Sequence, residues 1–409
     1  MKFDYDKALE RPEALRRLCE LWTPAPATEV VPLDEAQGRV SAEDLRALVT
    51  LPVKRSARMD GVALRSETFA DGEPDASDWV PGVDYVRADT GDDFPDEFDA
   101  VISMECIRLN DHGGFDIVRH DMDVRPGEGV AARGSLVTEG LLVAPAHTCL
   151  TPELVAALAV SGYAQVPVLR PLTVAFIPTG DELVPWGAYP TRGQNIEANS
   201  LLVSGMLRQW GARCVRYPIV DDNEGRLEEA LDRALAAADL VLINGGSSRG
   251  GADYNATLLQ SRGTYFAHGV RAVPGRPVGM AMIDGKPVIN VPGPVGAAWL
   301  CMDWLVRGLV AHWFGTPVEK RPTVRARLSE DFGKPAKMER VARVTLAPDP
   351  ERPGELLCTP IPRTMGTPET MATSDGLLTL PIGPDKAEAG SEWDVELLRP
   401  MELVRASWK

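Results

Sequence analysis

The chain has 409 residues, 44% hydrophobic and 25% charged, which is enough apolar material for about two to four globular domains. Its formal net charge of −16 opposes nucleic acid and anionic membrane, so neither is an expected partner, although a local site can bind an anion against the global field. Six cysteines and five histidines are scattered without zinc-motif or redox-motif spacing, which excludes a disulfide framework or a soft-metal centre and leaves free thiols in a cytoplasmic protein.

The opening "MKFDYDKALERPEALRRL" is amphipathic and charged, unlike the apolar core of a signal peptide. "VSAEDLRALVTLPVKRSARMDG" reads as a helix or strand giving way to a basic loop, and "VPGVDYVRADTGDDFPDEFDAVISMECIRL" as strands divided by acidic turns. "TPELVAALAVSG" predicts a helix with Thr151 as N-cap and Pro152 in its first turn, stopped near Gly162. "LTVAFIP" is a buried strand, because its apolar run is nearly continuous. A helix over "ANSLLVSGMLRQW" ends at Gly211, and "RCVRYPIV" is a strand. "NEGRLEEALDRALAAA" sets Leu227, Ala230, Leu231, Ala234 and Leu235 on one helical face. "DLVLI", the short helix "ADYNATLLQSRG", and the strands "PVGMAMI" and "KPVINVP" follow. "VGAAWLCMDWLVRGLVAHWF" carries Asp303 and Arg307, so it reads as a buried helix rather than a membrane span. Five short strand signals fill the last ninety or so residues.

The fold class is therefore multidomain α/β plus β. A central doubly wound parallel α/β domain follows a mixed α+β N-terminal part and precedes a small all-β C-terminal domain.

Ligands of open α/β sheets bind outside the carboxyl ends of the strands. There the sequence places "TGDEL" with Glu182, then Asp221 and Asp222, then "NGGSSRGGADYN", then "VPGPVG" with Pro292 before a helix N-terminus. Gly245 and Gly246 read as a tight turn or as a phosphate cradle, with Ser247 and Ser248 as turn formers or ligands and Arg249 as an anion donor or a solvated side chain. Carboxylates beside a phosphate require a hard cation between them, which makes Glu182, Asp221 and Asp253 candidate ligands of Mg²⁺. Neither a GxxxxGK[ST] loop nor a GxGxxG after the first strand of the α/β part is present.

These segments resemble the molybdopterin molybdenumtransferase family, the MoeA and gephyrin E-domain proteins, along nearly the whole chain. The resemblance is carried by "VPLDEAQGRVSAEDL", "RSARMDGVALRSE", "RADTGDDFPDEFDAVISME", "FIPTGDELVPWGAYPTRGQNIEANSLLVSGMLRQWGA", "INGGSSRGGADYN", "HGVRAVPGRPVGMA" and "GKPVINVPGPV". It implies a homodimer of four-domain subunits. Residues 1–50 and 140–170 would form a linker and dimerisation domain, 51–139 a small β-rich lid, 171–318 a molybdopterin-binding-like α/β domain and 319–409 a β domain. It also implies adenylylated molybdopterin and molybdate or tungstate as substrates, AMP as a product and Mg²⁺ as the assisting ion. Asp60, Glu182 and Asp221 fall on positions that the resemblance makes catalytic, and Thr90, Asp253 and Pro292 on further positions tied to the site.

Several positions depart from the family pattern. Ser135 and Leu136 replace two acidic residues, Val273 and Arg276 replace two lysines, and the Leu-Pro-Gly-Asn-Pro segment is reduced to "VPGP". Arg249, Arg271 or Arg276 would then supply the missing positive charge. The alternative is a diverged module that binds a pterin, nucleotide or oxyanion without turnover; an adenylyltransferase is a third reading, opposed by the N- and C-terminal extensions.

Overall fold

The computed structural model describes residues 7–246, 254–333, 337–361, 367–384 and 386–406. The chain folds as two compact units, Thr28–Leu169 and a second made of 1–27 with 170–409.

In the first unit Thr28–Pro32 pairs antiparallel with Gln165–Leu169, closing the segment on itself. Helix Pro152–Val160 starts as its sequence dictates: the Thr151 hydroxyl accepts from Leu154 N at 3.4 Å and proline fills the first turn. Its Leu158 is buried with Leu33, Leu45, Leu150 and Val166. The 45–57 region, read as helix or strand, forms only the short strands Leu45–Arg46 and Ser56–Ala57. A three-stranded sheet has Gly61–Leu64 at its centre, flanked by Tyr85–Ala88 and Ala100–Ser103. Glycine at 61 is required by close approach, because a Cβ there would lie 2.0 Å from Ile102 O. Phe115 anchors this part, edge-on to Trp79 and Tyr85.

The second unit is built on a six-stranded sheet. Arg213–Arg216, Thr173–Pro178, Leu240–Asn244 and Lys286–Val291 run parallel, in that spatial order. Gly279–Ile283 and Tyr265–His268 continue the sheet antiparallel. The parallel order gives way because only Asp284 and Gly285 separate two strands. Their φ values of 52° and 74° make the tight hairpin turn that an Asp-Gly pair favours, and no crossover helix fits in two residues.

Leu227, Ala230, Leu231, Ala234 and Leu235 of helix Glu224–Ala237 form the buried stripe that their spacing predicts, against Ala175, Ile177, Val241 and Ile243. The alternate strand residues Val174, Phe176, Leu242 and Ile289 are equally buried. Helix Asn199–Gln209 packs on Arg213–Arg216 and Thr173–Pro178, helix Val295–Cys301 on Lys286–Val291, and the two helices touch each other. The second of these runs on through a π-helical turn, Met302–Val306, into Arg307–Phe314, and ends at Gly315 in the left-handed conformation. Asp303 is paired with Arg321 at 3.0 Å and Arg307 at 3.6 Å, which satisfies the charges inside this apolar run. Among the described residues no helix is long and apolar enough to cross a membrane.

Thr323–Leu328, Glu339–Pro348, Leu356–Pro360, Gly376–Leu380 and Glu392–Leu397 pair in a closed ring, so the C-terminal region is a small barrel without a free central edge. Ala272–Val273 adds to it in parallel beside Glu339 and Arg340, tying the barrel to the α/β part. Burial pushes the thiol of Cys358, inside the barrel, up to about 12. None of the six cysteines is in a disulfide.

Leu231→Ala is expected to destabilise the second unit by about 2–5 kcal/mol, whereas Glu229→Ala on the exposed face of the same helix shifts stability by less than about 0.5 kcal/mol; urea unfolding of both variants checks this.

Candidate functional site

The parallel strands end together. Thr179 N donates to Asn244 O at 2.8 Å and Gly245 N to Val291 O at 3.2 Å, so three strand ends are laced at one rim. Outside that rim lies a cleft of about 930 Å³, lined among others by Thr179, Glu182, Asn199, Gly245, Gly246 and Pro292.

Buried asparagines form its floor. Asn244 Nδ2 donates to Pro292 O at 2.9 Å and Val291 O at 3.2 Å, while its Oδ1 accepts from Asn199 Nδ2 at 2.9 Å. Asn199 Nδ2 also reaches Gly293 O at 2.7 Å. Asn255 Nδ2 donates to Gly245 O at 2.8 Å. Asn290, with its amide nitrogen turned inward, donates to Gly245 O at 2.9 Å and Ile243 O at 3.1 Å. A buried carbonyl left without a donor is costly, and these amides meet that need at a place where the sheet ladder has stopped.

Gly245 and Gly246 turn here with φ of 116° and 53°. A Cβ on Gly245 would lie 2.5 Å from Thr179 O, and one on Gly246 would lie 2.6 Å from Asn255 Nδ2. Within the described residues the glycine pair thus bends the chain while packed onto Thr179 and Asn255. Across the cleft, Pro294 precedes the Val295 helix without a side-chain cap, leaving first-turn N–H groups of that helix without intrahelical partners.

The sequence-derived candidates fall in several places. Glu182, Gly245, Gly246 and Pro292 line the cleft together. The exposed Glu182 carboxylate lies against Gly180, where a Cβ would meet its Oε2 at 2.6 Å. Asp221 is exposed, ion-paired with Arg226, and not among the lining residues. Arg271 donates to Lys337 O at 3.0 Å and pairs with Glu10 at 3.5 Å, so it fastens the chain start to the barrel and does not line the cleft. Arg276 is half-buried between the lining residues Gly275 and Pro277, its carbonyl accepting from Val270 N and Val278 N. Val273, at a lysine position of the family pattern, pairs with Arg340 in the barrel ladder. Ser247, Ser248, Arg249 and Asp253 lie outside the described residues.

Asp60 and Thr90 meet in the first unit. Asp60 Oδ1 accepts from Thr90 N at 2.7 Å and from Thr90 Oγ1 at 2.8 Å. The backbone bond, then the hydroxyl bond, holds the Asp60 carboxyl below the usual aspartate range. Among the described residues no group of three His, Cys, Asp or Glu side chains is arranged to hold a metal ion.

Asn199, Asn290, Glu197, Pro274 and Pro368 also line or underpin the cleft, and sequence reasoning passed over them. Glu197 is buried and caps the next helix, accepting from Ser200 N at 2.8 Å and Ser200 Oγ at 2.5 Å. The signal available was a lone asparagine ending an apolar strand, as in "VLIN" and "VIN".

Residues 9–162 match the MoeA N-terminal region (domain I and II), 175–312 the probable molybdopterin binding domain, and 325–398 the MoeA C-terminal region (domain IV). A molybdopterin molybdenumtransferase of Haemophilus influenzae is 30% identical over 308 residues, 72% of this chain and 75% of that protein. The chain belongs to the molybdopterin molybdenumtransferase family. Molybdopterin molybdenumtransferase 2 of Mycobacterium tuberculosis is 28% identical over 395 residues, 89% of this chain and 94% of its own length. Among solved structures, the molybdopterin biosynthesis MoeA protein of Pyrococcus horikosii superposes with a TM-score of 0.78 at 26% identity, covering 96% of this chain and 100% of that one. This molybdenumtransferase-family chain therefore carries the MoeA-like fold from its N-terminal region through its barrel.

Asn244→Leu would strip donors from buried carbonyls and is expected to destabilise the second unit by about 1–3 kcal/mol, read by denaturant unfolding. Thr90→Ala removes one of two bonds to Asp60 and is expected to raise its pKa toward the ordinary aspartate value, read by NMR titration. Because the carboxylate form is the one held, the bond contributes above the ordinary aspartate range and is lost as pH falls through the depressed pKa.

Proposed function

We propose that the chain is a molybdopterin molybdenumtransferase that takes adenylylated molybdopterin and molybdate or tungstate, and releases AMP and the metal-loaded cofactor, acting as a homodimer. The observation that carries this reading is the cleft beyond the parallel strand ends, formed by the domain that matches the molybdopterin-binding model. Its 930 Å³ suits an elongated ligand of nucleotide size. The N–H groups at the head of the Val295 helix would face phosphate oxygens, and the side-chain-free surface of the Gly245–Gly246 turn admits a close approach.

Mg²⁺ characteristically keeps several waters and takes one or two carboxylates together with substrate phosphates, and one accessible carboxylate, Glu182, stands in the described cleft to meet that demand. Bound there, the ion would neutralise phosphate charge as the anhydride to AMP is cleaved. Glu182 would hold it, Asp253 is the second candidate ligand, and Asp221 joins only when Arg226 releases it. Asp60, kept ionised by Thr90, is the candidate catalytic carboxylate of the other unit.

A second reading has its own support. No Lys or Arg is among the described residues that line the cleft, and a tetrahedral oxyanion needs such donors or a dense set of N–H and O–H groups. A module that holds the pterin or nucleotide without turnover does not have to bind the free oxyanion of the insertion reaction.

Purified protein incubated with adenylylated molybdopterin, Mg²⁺ and molybdate is expected to release AMP. Ligand binding without AMP release would replace the transferase reading with the binding module. Glu182→Gln is expected to slow AMP release about 10- to 100-fold, with partial recovery at raised Mg²⁺.

A further inference from the structure

Most aromatic side chains among the described residues are buried or half-buried; those that are exposed are Trp186, Tyr189 and Tyr254. Trp186 is 54% exposed and Tyr189 95%. Trp186 and Tyr189 belong to a loop whose ends line the same cleft, and Tyr254 adjoins Asn255, which is bonded to the lining residue Gly245. The loop carrying Trp186 and Tyr189 leaves the rim at Glu182 and Leu183 and returns to it at Asn195, Ile196 and Glu197, each a lining residue. Its two ends are zipped together, Leu183 opposite Asn195 and Val184 opposite Ile196, with Asn195 N donating to Glu182 O at 2.8 Å. Within the loop, Thr191 N and Oγ1 both donate to Gln194 Oε1 at 2.9 Å, and Ala188 N donates to Pro185 O at 3.1 Å. Trp186 stands three residues beyond Leu183, which keeps its Cα within about 11 Å of that lining residue. Tyr254 precedes Asn255, whose amide is bonded to Gly245 O at the cleft floor.

An exposed aromatic ring beside a cleft is free to receive a flat π-system, which stacks offset on its face. A cleft whose described lining lacks cations needs another source of affinity for its ligand, and ring stacking is independent of charge. We infer that Trp186 and Tyr189, joined by Tyr254 on the glycine-turn side, form an aromatic collar that stacks on a fused nitrogen heterocycle of the ligand and so positions it in the cleft. This rests on reading the cleft as a nucleotide or pterin site. The shared chemistry is a flat, electron-poor bicyclic ring, supplied by adenine or by a pterin.

The test measures equilibrium binding of AMP, of a free pterin and of inorganic diphosphate to the full chain and to Trp186→Ala, Trp186→Phe and Tyr189→Ala. The alanine variants are expected to bind at least one ring-bearing probe about fivefold or more weakly, to bind diphosphate unchanged, and to be rescued at position 186 by phenylalanine. Tryptophan emission quenched by that probe in the parent chain, and not in Trp186→Phe, identifies the stacked ring, and the ring probe that responds tells adenine from pterin. Equal affinity of parent and alanine variants for both ring probes overturns the collar and leaves the function of the cleft standing. A changed oligomeric state with unchanged ring affinity also overturns it, in favour of a subunit contact. A parent chain that binds none of the three probes overturns the cleft reading and the collar together.

Discussion

The structure around the cleft depends on one requirement: where parallel strands stop, their last carbonyls still need donors. Asn244 meets it. From the end of the central strand its side chain holds the carbonyls of Val291 and Pro292 and accepts from Asn199, while its own carbonyl accepts from Thr179 N. Three strand ends and the start of a helix are thereby fixed relative to one another without any charge being buried. An aspartate or lysine in that place would add a desolvation cost that an amide avoids.

That neutral floor bears on what the cleft can take. The chain carries a net charge of −16, and the lining residues described here are acidic at Glu182 and Glu197 and otherwise uncharged. On the proposed function, attraction for an anionic ligand would come from backbone N–H groups at a helix head and from a glycine segment without side chains, local features that do not need a basic surface. Glu197 is already committed to capping its own helix, so Glu182 is left as the accessible carboxylate of the described rim. The arginines that the sequence offers as replacements for missing lysines are drawn elsewhere in part: Arg271 holds the chain start to the barrel.

An arginine-rich seam shows how the barrel is attached. Arg321 and Arg343 both lie over the Trp299 ring, at 5.2 and 4.7 Å, and Arg321 also pairs with Asp303. Arg343 is buried and bonded to Ser374 through one nitrogen; burial, with the nearby Arg321 charge, brings its pKa down to about 10. Among the described residues no carboxylate is ion-paired with Arg343, so its charge is desolvated against the Trp299 face.

By itself the sequence determined the periodic elements. The Leu227–Leu235 stripe, the Thr151 cap, the continuous apolar runs of the central strands and the five strands of the last region all follow from local spacing and turn chemistry, which a chain reports directly. Its motifs also carried the family. The tertiary structure alone decided which polar groups share a wall. Asp60 finds Thr90 thirty residues on, Asp221 turns to Arg226, Arg271 turns to Lys337, and four asparagines distant in the chain converge beneath one turn. It also decided the antiparallel edge, because a two-residue Asp-Gly link reverses the chain where a helix would have kept it parallel. Periodicity is a property of neighbours in sequence, whereas a hydrogen bond between side chains is set by where the backbone carries them, and that is fixed only when the sheet closes its ladder.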